Sequence, residues 1–211
     1  MELKVEITYK RIKNLHLRVK DGIVKVSSPM MVSKQRIMKF VNDNLDFINK
    51  QLNKQEIINE KNTININDEV MVLNKKYTVL STSLKPKYSD HYIFVKQDVD
   101  INKQIKKLFK SKLEEIMKDK TLEYFTLMNL NCKFPNLVIK DVKSKWGSYS
   151  KRKHEIIYSS NIIFKDESVY DYLVVHELAH ILQYNHSKAF YDIVSKYCPN
   201  YKVLRKKLKE V

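Results

Sequence analysis

Apolar and polar residues alternate along "VEITYK" and again along "LHLRVKDGIVKVSSP", where Asp21-Gly22 separates two period-two runs and predicts a tight hairpin. Beyond it, Ser33 is a suitable N-cap for "KQRIMKFVNDNLDFINKQL". There Ile37, Phe40, Val41, Leu45, Ile48 and Leu52 recur at three-to-four spacing and predict one core-facing helix. A polar connection is expected over residues 53–65. "EVMVLNKKYTVLS" predicts a second hairpin turning near Asn74-Lys75, and "HYIFVK" a further strand. The period then changes. Ile101, Ile105, Leu108, Phe109, Leu113, Ile116, Met117, Tyr124 and Leu127 trace one long amphipathic helix from Asp100 to about Asn129. Two strands, "NLVIKDV" and "EIIYSS", bracket an expected loop, "KSKWGSYSKRKH". A helix starting at Asp166 or Ser168 runs on through "VVHELAHILQYNHS". Ser187 caps the next one at "KAFYDIVSKYC", and a basic helix "VLRKKLKE" closes the chain.

This pattern is α+β: a mainly β lobe with one helix over residues 1–98, then a helix-rich region with a small sheet over 99–211, together one compact unit. A length of 211 residues is enough to bury a substantial core. Cys132 and Cys198 share no CxxC or secreted spacing, which fits small core residues in a reducing compartment. Charges at the N-terminus take the place of a signal peptide's apolar run, and no stretch is long enough to cross a bilayer, so a cytoplasmic protein without a membrane partner is expected. The net charge of +16 raises the question of nucleic acid. It is spread evenly, however: 18 Lys/Arg against 11 Asp/Glu in residues 1–99, and 22 against 13 in residues 100–211. A nucleic-acid footprint concentrates its charge, so a chain-wide lysine bias explains this excess better.

Candidate chemistry sits in one place. Three of the six histidines, with a glutamate, fall in "VVHELAHILQYNHS". On a helix His176 and His180, four apart, are about 40° from each other around the axis and face the same way, so both reach one ion. Glu177 projects about 100° from His176, where it reaches a water on that ion without being a ligand, as in hydrolytic HExxH helices. The helix is apolar on its other sides, so these polar groups are expected to be buried and to need partners. "HEIIY" at His154 begins alike but lacks the second histidine and lies in a β-like segment.

Catalytic zinc takes three protein ligands and leaves a fourth position open. His186 lies six residues beyond His180. In a continuing helix it would turn about 240° away, so its use as a ligand requires the coil to stop first. Asn185, tolerant of the left-handed conformation, is the expected terminator, just after Tyr184. The spacing equals that of metzincins, but Gln183 stands where their glycine would be, which predicts a different and later turn. Asp192 and the terminal Glu210 are rival third ligands.

The stretch "DYLVVHELAHILQYNHSKAFYDIV" resembles the YgjP-like metallopeptidase family, related to the SprT-like HExxH proteins. "KSKWGSYS" is similar to that family's Arg-Trp-Gly-Ser-Cys-Ser segment, and "ITYKRIKNLHLRVKDGIVKVSSP" to its N-terminal hairpin. The resemblance implies a zincin-like α+β fold, one zinc ion on His176, His180 and His186, and Glu177 as the catalytic base of a metallopeptidase. Lys145 stands in place of the family's arginine and Tyr149 in place of its cysteine.

An oxyanion donor is expected among Tyr149, Tyr158 and His154. Trp146 reads as a core anchor, and Gly147 as a sharp turn that lets the backbone pass close to the helix. Residues 140–153 carry six cations against Asp141 alone, and Lys145, Ser148 and Tyr149 are candidates for the substrate cleft. A basic loop at the cleft would favour acidic or phosphate-bearing substrates. Beside a protein or peptide substrate, this leaves two alternatives: a zinc-dependent nucleotide phosphohydrolase, or a nucleic-acid-associated binding module with structural zinc, for which Cys198 could supply a fourth ligand.

Overall fold

A computed structural model describes residues 3–209 and divides the chain into two compact units, residues 1–63 and 64–210, each with its own core. In the first unit, β1 (Val5–Lys10), β2 (His16–Lys20) and β3 (Ile23–Pro29) form a sheet in the order β1-β3-β2. The β2/β3 hairpin is antiparallel and β1 is parallel to β3. The expected hairpin forms at Asp21-Gly22, whose φ values of 53° and 74° give the turn hand that matches strand twist. The single predicted helix is two: α1 (Lys34–Asn42), capped by Ser33, and α2 (Leu45–Asn62). Asn44 interrupts the ladder by returning its side-chain amide to the Phe40 carbonyl, and α2 runs through the region expected to be a polar connection. Val24, Val26, Ile37, Val41 and Ile48 form the core of this unit.

The second unit begins with β4 (Glu69–Val72), β5 (Lys75–Ser81), β6 (Lys87–Tyr88) and β7 (Tyr92–Val95), in the order β4-β5-β7-β6. The turn lies at Leu73-Asn74, one residue earlier than expected, and the Leu73 N–H is held by the Ile163 carbonyl. Val72, Val79, Ile93 and Val95 share a core with Ile105 and Phe109. The division into compact units falls at 63/64, and the inward faces of these strands are covered by the following helix.

The predicted long helix is α3 (Ile101–Leu108) and α4 (Lys110–Leu127), bent at the buried Phe109. Next come β8 (Asn136–Lys140), β9 (Gly147–Ser150) and β10 (Glu155–Ser159), in the order β8-β10-β9. Strand β9 occupies what was expected to be loop, and the β-like segment of "HEIIY" enters β10 at Glu155, just after His154. A 3-10 turn, Ser160–Phe164, leads to α5 (Ser168–Leu182), α6 (Lys188–Tyr197) and α7 (Tyr201–Lys209). Packed against α4, α6, α7 and β9, helix α5 is covered on most sides, which is why its sequence is apolar nearly all round. The α+β architecture read from the sequence is the one observed. Among the described residues, no helix is long and apolar enough to cross a membrane. Cys198 is buried as expected, but Cys132 is exposed.

Candidate active site

Helix α5 ends at Leu182, and Gln183 turns to an extended conformation (φ −137°, ψ 107°) while its N–H still bonds the Ala179 carbonyl. The coil thus stops two residues before Asn185, and by a different device. An extended residue needs no left-handed geometry, so neither Asn nor Gly is required at the break. The Gln183 side-chain amide then donates to Asn185 Oδ1 at 2.7 Å and Ser187 Oγ at 3.3 Å, bracing the turn that brings His186 back over the helix.

His176, His180 and His186 consequently place one ring nitrogen each within 4.8 Å of one another. The Nε2 atoms of His176 and His186 are 3.1 Å apart. Tetrahedral zinc with ordinary imidazole bonds sets its ligand nitrogens about 3.3 Å apart, so this edge fits such an ion. The fully buried Phe190 of α6 packs on all three imidazoles, with centroid distances of 4.9, 4.6 and 4.9 Å to His176, His180 and His186. That role as a shared platform was not legible in the sequence. Nδ1 of His180 lies 3.3 Å from the Gln183 carbonyl, and as a donor to that oxygen it leaves Nε2 as the nitrogen with a lone pair for a metal. Burial, then the neighbouring imidazoles, push the His176 pKa down to about 3 and that of His180 in the same direction, so both rings are neutral and able to ligate. Among the described residues neither Asp192, exposed on α6, nor Cys198 joins this group, and Glu210 lies outside them.

Glu177 is almost fully buried, and its Oε2 has no hydrogen-bond partner among the described residues. Burial raises its pKa to about 8, against the opposing pull of Lys145 and the Tyr149 backbone N–H. Strand β9 presses against it: a Cβ on Gly147 would lie 2.5 Å from Glu177 Oε1. Gly147 therefore provides the close approach foreseen, but at the start of a strand and without positive φ, so space and not turn geometry demands it.

A cleft of about 340 Å³ brings His176, Glu177 and His186 together with Trp146, Tyr172 and Tyr191, and with Arg205 of α7. Trp146 is half-buried, so it both packs on the core and faces the cleft. Lys145, Ser148 and Tyr149 line a neighbouring groove of about 780 Å³ with Lys151, Arg152, Lys153 and Tyr184. The three oxyanion candidates are engaged elsewhere. Tyr158 is wholly buried on Thr121 Oγ1, and the Tyr149 hydroxyl and His154 Nδ1 bond each other at 2.9 Å.

Against known proteins, the family model described as "YgjP-like, metallopeptidase domain" matches residues 13–211. The chain belongs to this family. As a member it is a hydrolase of the zinc metallopeptidase kind, as its HELAH segment led us to expect. Two solved structures are similar to this YgjP-like chain. One is the metallopeptidase zymogen of Pyrococcus abyssi abylysin, 20% identical over 44% of this chain and 90% of that one, at TM-score 0.41. The other is the metallopeptidase zymogen of Methanocaldococcus jannaschii jannalysin, 26% identical over 44% and 96%, at TM-score 0.37. No curated protein matches the chain.

Proposed function

We propose that this chain hydrolyses peptide bonds with one zinc ion on His176, His180 and His186 and with Glu177 as general base. The observation that carries the reading is the convergence of three imidazole nitrogens beside a buried carboxylate oxygen without a partner. Zinc bound there would supply a Lewis acid that acidifies water and polarises a carbonyl. Glu177 would take the proton of the attacking water on its free Oε2 and return it to the departing amine. Burial raises the Glu177 pKa in the metal-free chain, and a zinc ion beside it would lower it again toward the ionised form that a base requires. Strand β9 is at the edge of its sheet, where an extended peptide could add as a further strand beside the triad. The groove lined by Lys145, Ser148 and Tyr149 would then receive flanking residues of that peptide, acidic ones best. Two unbridged cysteines, one of them exposed, support a cytoplasmic setting.

Glu177→Gln should keep its zinc and lose roughly a thousandfold or more in turnover of an unfolded protein substrate; undiminished turnover would remove Glu177 from the chemistry. The same assay run with nucleoside triphosphates separates the phosphohydrolase alternative, since zinc-dependent consumption of the nucleotide instead of the protein would replace this reading.

A further inference from the structure

Helix α7 brings to the cleft a cation that the HExxH motif does not account for. Arg205 lines the same cleft as His176, Glu177 and His186, although it is 19 residues beyond the last of them in sequence. Its guanidinium carbon rests 5.5 Å from the centroid of the Tyr191 ring. That ring is itself stacked with His186, at 6.3 Å and 29°, and with Tyr201, at 5.6 Å and 20°. A guanidinium lying over an aromatic face is held in position by the ring quadrupole, while the N–H donors in its own plane remain available to another partner.

No such partner is present among the described residues. Among the described residues no carboxylate comes within ion-pair distance of Arg205, whereas Lys207 on the same helix is matched by Asp166 at 3.1 Å. The one acidic residue lining the cleft is Glu177, which is buried. Elsewhere its walls are aromatic or apolar, with Lys209 adding a second cation near Arg205 on α7. A planar fork of free donors in such surroundings matches a carboxylate, which it can bind through two parallel hydrogen bonds.

Resting on the metallopeptidase reading above, we infer that Arg205 is a specificity-determining residue that anchors a carboxylate of the peptide substrate beside the triad. Two sources supply that group. The α-carboxylate of the peptide would make the enzyme trim chains from their C-terminus, and an aspartate or glutamate side chain would direct internal cleavage next to acidic residues. Stacking on Tyr191 purely for stability is the competing explanation, and it predicts no dependence on any substrate carboxylate.

The test uses the full chain carrying Glu177→Gln and loaded with zinc, so that peptide binds without being consumed. Trp146, the only tryptophan, lines the cleft and reports binding by its fluorescence. The probes are hexapeptides of alanine and leucine with a free C-terminus, with an amidated C-terminus, and amidated with one glutamate moved through each position. At least one carboxylate-bearing form should bind roughly tenfold more tightly than the neutral amide. Adding Arg205→Gln should bring that ratio to about twofold or less, Arg205→Lys should keep part of it, and zinc content should stay equal throughout. Which form is preferred identifies the source of the carboxylate. With zinc bound, no preference in the parent, or one that survives Arg205→Gln, overturns the inference, as does loss of zinc in that variant, which would make Arg205 structural. A parent chain that takes up no zinc would instead bring down the metal-centre reading itself, and the inference with it.

Discussion

Gly147 and Glu177 illustrate how closely a single atom is fitted at this site. A methyl group on Gly147 would overlap Glu177 Oε1, Cδ and Cγ, so the buried carboxylate would have to shift. Gly147→Ala should therefore lower turnover at least tenfold while leaving zinc content unchanged, and overpacking should cost about 1–3 kcal/mol in urea unfolding. Unchanged turnover at full stability would mean that Glu177 moves aside freely. At this scale the sequence was readable where residue type and spacing were enough: HExxH at four-residue spacing and a third histidine past a break. Arg205 and Phe190 could not be read that way, since their approach to the histidines depends on how α6 and α7 pack against α5.

Among the elements, α5 carries the site and its two ends are held differently. Its last turn gives way to extended Gln183, and the polar braces from that side chain fold His186 back. At its start, the Ser168 hydroxyl, then the Ser168 N–H at 2.9 Å and Lys207 at 3.1 Å, together hold the carboxyl of Asp166 well below the ordinary carboxylate range, at about 2. Because the folded pKa lies below that of the unfolded chain, the contribution is fully present above about pH 4 and disappears as pH falls toward 2. Asp166 is largely open to solvent, so the effect should stay below about 1 kcal/mol. Urea midpoints of the metal-free chain and of Asp166→Asn, compared from pH 6 down to about 2.5, should differ at the upper end and converge at the lower. A constant gap would deny the assignment. Long, periodic elements were legible in the sequence, whereas β9 was not: "GSYS" lacks the apolar alternation of a strand and pairs only because β10 offers an open edge. The breaks at Asn44 and Phe109 were missed for a related reason, as apolar spacing continues across both.

Across the whole molecule, all the residues assigned to the metal, the cleft and the neighbouring groove fall within residues 64–210, the larger of the two compact units. Its core extends from Val70 to Leu208 and is independent of the five buried residues that make the core of the first unit. A chain of residues 64–211 is therefore expected to fold and to bind zinc with the stoichiometry of the full protein. Failure to do so would show that the first unit is needed to complete the second. The excess of positive charge, even along the sequence, becomes local in three dimensions where Lys145, Lys151, Arg152 and Lys153 line one groove. The direct test of the account is elemental analysis of the purified full chain beside His186→Ala. One zinc per wild-type chain, lost or greatly diminished in the variant, is the predicted result. A wild type without zinc, or a variant that holds it equally well, would contradict the three-histidine centre on which the proposed chemistry depends.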